Sequence, residues 1–157
     1  MRRAVWIAGI VGLGSGMLAC GGGGESGGLG PPPSTLDGVW NFTVTNLHAT
    51  VQGSLFTCSV AGATINLTQS GTDFSGTYSG GNLNCTWKGQ SQIIPVAGEV
   101  IGGSLIGNAV SFDLDTPDFH FTGSVTRNSM SGTCVMTVVF PSPIGVAVFN
   151  GSWRATR

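Results

Sequence analysis

Few side chains in this sequence could do chemistry, and their spacing argues against catalysis. His48 and His120 are the only histidines. His120 alternates with Phe119 and Phe121, the pattern of a strand residue turned to solvent, and His48 falls in what reads as a loop after the first strand. Neither stands at a metal-ligand spacing, and there is no Cys-x-x-Cys and no His-Glu-x-x-His. Asp113, Asp115 and Asp118 form the one acidic cluster. Asp113 and Asp115 share a strand face and could offer oxygen ligands to Ca²⁺, but a solvated face running into an Asp/Pro turn accounts for them better. No serine sits in a Gly-x-Ser-x-Gly elbow between a strand and a helix, and no pair of carboxylates has the surroundings that would split their pKa values. We expect no enzyme, no metal and no cofactor.

Cys20 carries a different chemistry. Arg2 and Arg3 precede a run of apolar and small residues, Ala4 to Leu18, that contains four glycines. It is too short to cross ~30 Å of hydrocarbon comfortably and has the anatomy of an export signal. Its end, Met17-Leu18-Ala19-Cys20, resembles the lipobox of bacterial lipoproteins, with Met17 where leucine is usual. The resemblance implies cleavage of residues 1–19 as a signal peptide, a diacylglyceryl thioether on Cys20 and an acylated amino terminus. Ordinary secretion with a free thiol is the alternative. Several acyl chains, at about 0.8 kcal/mol per buried CH₂, would make attachment to the membrane effectively permanent. Among such lipoproteins an aspartate after the cysteine signals inner-membrane retention; Gly21 does not, so the expected address is the outer membrane of a bacterial cell envelope.

The rest of the composition suits an exported β protein. Without Arg2 and Arg3, four basic residues face seven acidic ones, a net charge of about −3 with no basic patch. Nucleic-acid binding needs clustered Lys and Arg, so that partner class is excluded. Residues 20–35 read as a linker, flexible over Gly21–Gly30 and stiffened by Pro31-Pro32-Pro33. Residues 36–157 are then one domain with a single core.

Inside that domain the signal is alternation of period two. Trp40, Phe42 and Val44 alternate with polar residues, as do Ala63, Ile65 and Leu67, then Phe74 and Tyr78. Further strands are expected at 100–105, 110–114, 119–125, 130–140 and 146–156, separated by turns at Gly107-Asn108, Asp115–Asp118, Arg127-Asn128 and Pro141-Ser142-Pro143. About eight strands joined by short turns predict an all-β fold, an eight-stranded antiparallel up-and-down barrel. Four strands share an apolar-x-Gly-x-apolar pattern: Phe74-Gly76-Tyr78, Phe121-Gly123-Val125, Met130-Gly132-Cys134 and Phe149-Gly151-Trp153. Glycines on the inner face are what a small, strongly coiled barrel requires.

Gly38-Val39-Trp40 on the first strand resembles the Gly-x-Trp of lipocalins, and Leu36-Asp37-Gly38-Val39-Trp40 resembles the opening of avidin-type barrels. Both resemblances imply the barrel shape; the other signatures of either family are not recognisable, and no binding residue is carried over. If inner glycines leave room, Trp40, Phe42, Tyr78, Phe121 and Trp153 are the candidate lining of a cavity for a small apolar ligand. The alternatives are an envelope protein-interaction or inhibitor barrel, with segments 46–62 and 80–97 as its binding edge, and a purely structural barrel filled by its own side chains.

Lipidation of Cys20 would leave Cys58, Cys85 and Cys134, an odd number in an oxidising compartment. Loop-closure entropy barely separates the three pairings. Environment does: Cys134 shares the apolar phase of Met130 and Met136, whereas Cys58 and Cys85 lie in polar surroundings flanking the second hairpin. The expected disulfide is Cys58–Cys85, with Cys134 free and buried.

Overall fold

The computed structural model describes residues 35–142 and 145–157. The expected signal peptide, Cys20 and residues 20–34 of the linker lie outside the described residues. Eight strands follow in order: β1 (Gly38–Val51), β2 (Ser54–Ser70), β3 (Asp73–Trp87), β4 (Gln90–Ile106), β5 (Ala109–Leu114), β6 (Phe119–Val125), β7 (Ser129–Phe140) and β8 (Gly145–Thr156). Each pairs antiparallel with its sequence neighbour, and β8 returns to β1, so the sheet is a closed up-and-down barrel.

Alternation places one face of every strand inside. Trp40, Phe42 and Val44 of β1, Phe112 and Leu114 of β5, Phe119 and Phe121 of β6 and Phe149 and Trp153 of β8 are all buried, and no polar or charged side chain is buried among the described residues. A core of this composition is held by apolar burial and close packing.

Segments 46–62 and 80–97, which the sequence offered as a binding edge, are themselves parts of strands. They continue β1 and β2, and β3 and β4, in long hairpins. The inner period carries on through Leu47, Ala49 and Val51, through Cys58 and Val60, and through Leu83 and Cys85. Bulges hid it: the β1–β2 and β3–β4 registers shift, and Asn46 adopts φ 54°, which flips the phase of alternation by one residue. His48 is therefore an exposed residue of β1, its Nδ1 2.7 Å from the Asn46 carbonyl, and not a loop residue.

The two ends of the barrel differ. Both ends of the described domain and the turns β2–β3, β4–β5 and β6–β7 lie at one end. There Leu36 is buried, Trp40 Nε1 donates to the Leu36 carbonyl (2.8 Å), and the Arg157 guanidinium lies 4.5 Å over the Trp40 ring. Arg157 also donates to the carbonyls of Asp37, Thr35 and Arg127 at 3.2–3.3 Å, closing that end. The other end carries the tips of four hairpins, of which β5–β6 is much the shortest.

Candidate functional site

The five residues expected to line a ligand cavity are all in the core, and three of them, Phe42, Phe121 and Trp153, pack ring against ring. Phe42 meets Phe121 edge-on at 5.4 Å, Phe121 meets Trp153 at 5.8 Å, and Phe112 stacks on Phe121 at 4.8 Å. Tyr78 donates its hydroxyl to the Thr116 carbonyl, and Trp40 belongs to the closed end. The space enclosed beside Phe42, Tyr78 and Phe119 is about 10 Å³, the size of one water and walled by apolar groups. At three of the inner glycines the space is taken by backbone. A Cβ on Gly76 would run into the Asn66 carbonyl, one on Gly123 into that of Ser131 and one on Gly132 into that of Thr122. Glycine at these points lets strands approach.

The acidic cluster is not assembled either. Asp113 Oδ1 lies 2.5 Å from His120 Nδ1 on the outer surface, and Asp115 Oδ1 accepts from the Glu99 amide at 2.8 Å. Among the described residues no group of His, Cys, Asp or Glu is placed to hold a metal. Burial pushes the Cys134 thiol up to about 11. Tyr78 is raised as well, first by burial and then by the Asp115 carboxylate.

What the structure brings together lies at the far end of the long hairpins. Phe56 of β2 stacks on Trp87 of β3 (6.0 Å, 18° between planes), tilts against Phe140 of β7 (5.9 Å) and meets Phe149 of β8 edge-on (5.1 Å). Beneath this cluster the Cys58–Cys85 disulfide joins directly opposed residues of β2 and β3, and Cys134 is free and buried, as the phase argument required. Phe56, Cys85, Trp87 and Phe140, with Gln90, Ser91 and Gln92 of β4, line a cleft of about 390 Å³. A second cleft of about 240 Å³ runs between Ile94 to Ala97 of β4 and Met136 and Val138 of β7, with Pro117 of the β5–β6 turn below it.

Two polar features stand in this apolar setting. Lys88 Nζ lies 4.5 Å from the centre of the Trp87 ring, a cation–π contact. Trp87 Nε1 is the one buried side-chain nitrogen or oxygen among the described residues without a hydrogen-bond partner. The sequence reading missed Phe56 and Trp87 because both lie in the segments whose alternation the bulges broke. Phe140 was legible: it continues the inner phase of Met130, Cys134 and Met136.

Compared with protein-family models, curated proteins and solved structures, the chain matches none of them.

Proposed function

We propose that this chain is a lipid-anchored protein of a bacterial envelope whose barrel is a non-catalytic binding module, engaging an apolar partner at its open end. The observation that carries the reading is the contrast between a space of about 10 Å³ beside Phe42, Tyr78 and Phe119 in the body and an aromatic end cleft of about 390 Å³. Ligand sites are concave and mostly apolar with a few polar groups, which describes the cleft at Phe56, Trp87 and Phe140 and not the interior around Phe121. A small apolar ligand in the barrel body is not carried forward for that reason.

The anchor fits this arrangement. The domain starts at the closed end, so a lipid on Cys20 would tether that end and turn the cleft away from the bilayer. Residues 20–35 would reach at most about 55 Å when fully extended. Replacing Cys20→Ser should release the protein from membranes into the soluble periplasmic fraction; unchanged membrane association would overturn the anchoring.

Tryptophan emission tests the cleft. Trp40 and Trp153 are buried in the core, whereas Trp87 is only partly buried at the cleft. Titration with 1-anilinonaphthalene-8-sulfonate should quench the Trp87 component and transfer its energy to the dye, and Trp87→Phe should abolish that transfer. Transfer that survives in Trp87→Phe would place the apolar site elsewhere.

A further inference from the structure

The barrel is closed by eight strands only in its lower part. β5 ends at Leu114 and β6 begins at Phe119, while β4 and β7 run on past them toward the open end. The pairing of β4 with β5 begins at Val100, so Gln90–Gly98 pairs with β3 alone. The pairing of β6 with β7 ends at Met136, the Thr137 amide donates to the Asp118 carbonyl, and Val138–Phe140 pairs with β8 alone. Above the β5–β6 turn β4, β3, β2 and β1 stay paired in that order, whereas Gly145–Phe149 of β8 pairs with β7 alone because the β1–β8 pairing ends at His48 and Asn150; among the described residues β4 and β7 thus present free edges toward each other. The β4 and β7 edges line the same cleft system: Ile94 to Ala97 with Met136 and Val138 below, Gln90 to Gln92 with Phe140 above.

We propose that an extended, uncharged peptide segment of a partner protein enters this gap as an added strand, pairing its backbone with the free edge at Gln90–Ile94 and turning alternate apolar side chains onto Phe56, Trp87 and Phe140. This deepens the open-end binding reading and rests on it. Three observations select a peptide strand. An unpaired edge is a row of backbone donors and acceptors spaced for another strand, and strand addition to such an edge is a recurring mode of peptide recognition. Hydrocarbon could not satisfy those groups, so a lipid surface fits the edges poorly although it fits the apolar floor. Trp87 Nε1 is an unpartnered buried donor at the cleft wall, and a peptide supplies carbonyl acceptors at strand spacing. The partner's neutrality follows from the walls: Lys88 is the single charged side chain of the β3–β4 hairpin tip, and it is already engaged with the Trp87 ring. Pro95 sets the limit of pairing on β4. It has no N–H, is tolerated at edges for that reason, and hinders the free edge from templating copies of its own chain.

The test uses the full chain with three probes: an eight-residue peptide alternating valine and threonine, the same peptide N-methylated at every second amide, and 1-anilinonaphthalene-8-sulfonate. The unmodified peptide should quench Trp87, displace the dye and slow amide hydrogen exchange within Gln90–Ile94, and the N-methylated copy should bind at least tenfold more weakly. Equal binding of the two peptides would overturn strand addition, since only side-chain burial would be at work. Dye binding without peptide binding would overturn strand addition and leave the open-end cleft standing; binding of neither would overturn both. Two further outcomes also overturn it: phosphatidylglycerol vesicles quenching Trp87 where the peptide does not, and a dimer whose Gln90–Ile94 amides are protected without peptide.

Discussion

Gly123 of β6 and Gly132 of β7 stand directly opposite each other, and Trp153 of β8, the next partner across from Gly132, sends its indole N–H 3.0 Å to the Thr122 carbonyl. Two facing glycines remove the side chains that would hold two strands apart, and the tryptophan covers the bare backbone that results. A large ring laid over strand glycines restores the buried apolar contact that glycine forfeits. The repeated apolar-x-Gly-x-apolar pattern is thus a device for coiling the sheet, and it explains why the interior is filled.

Gly132→Ala should be among the most destabilising conservative changes in the domain. Its Cβ would meet the Thr122 carbonyl, part of the backbone and unable to swing aside. Overpacking of this kind costs about 1–3 kcal/mol. Thermal unfolding by circular dichroism checks it, with Gly107→Ala as the contrast: a Cβ there meets nothing, so strain at its φ of 61° is the only cost. A Gly132→Ala loss no larger than that of Gly107→Ala would contradict the close-approach account.

The closed end is held by charge as well as packing. Arg157→Ala should lower stability by about 1–2 kcal/mol, the sum of a cation–π contact on Trp40 and hydrogen bonds to three carbonyls near the surface. Near-ultraviolet circular dichroism should report the loosened Trp40 before global unfolding.

Asp37 gives this end a pH dependence. Its carboxyl is held below the ordinary aspartate value by the Thr35 hydroxyl first, then by the Gln69 amide, with Arg157 assisting. A folded-state pKa below the unfolded one means a contribution fully present above about pH 4 and lost as pH falls through the folded value. Melting temperature should therefore drop below pH 4 in the native chain and drop less steeply in Asp37→Asn.

Fold and site were legible to different degrees for physical reasons that particular residues show. Turns with strong backbone preferences, at Gly71, Gly107-Asn108 and Pro141, lie where their residue types put them. Alternation around Trp40, Phe121 and Cys134 gave the inner face and the buried, free Cys134; Cys58 and Cys85 were paired on their polar sequence surroundings, although both side chains are buried on the inner face. The candidate site was lost because it lies beyond Asn46, Gly62 and Gly80, three positive-φ residues where strand phase slips. A free edge also has no sequence signature of its own: that Gln90–Gly98 lacks a second partner follows from the shortness of β5 and β6.

The disulfide should matter most to the open end. Cys58 and Cys85 are 27 residues apart, and closing a loop of that size stabilises by about 3.5 kcal/mol in the chain-entropy account. The double change Cys58→Ala, Cys85→Ala should keep the far-ultraviolet barrel spectrum while weakening dye binding at Phe56 and Trp87. Unaltered dye binding would show that the aromatic cluster holds the cleft without the covalent link.

Cys134 offers the cleanest pH experiment at the alkaline side. Burial raises its thiol to about 11 from an ordinary 9.0, because a thiolate among Phe121 and the methionines would lose its hydration. Between those values the unfolded chain releases a proton that the folded chain keeps, so the unfolded state is favoured as pH rises. The stabilisation is complete below about pH 9 and falls away as pH climbs through 11, by on the order of 2 kcal/mol. Tyr78, also raised, acts in the same direction from a higher starting value of 10.0. Urea unfolding at pH 8, 9 and 9.5 therefore reads mainly the cysteine, and Cys134→Ala should flatten most of the slope across that interval. The same burial predicts that a disulfide exchange reagent titrates one thiol of the Cys20→Ser chain only after unfolding; rapid reaction of Cys134 in the folded protein at pH 8 would mean that the β6–β8 wall opens readily.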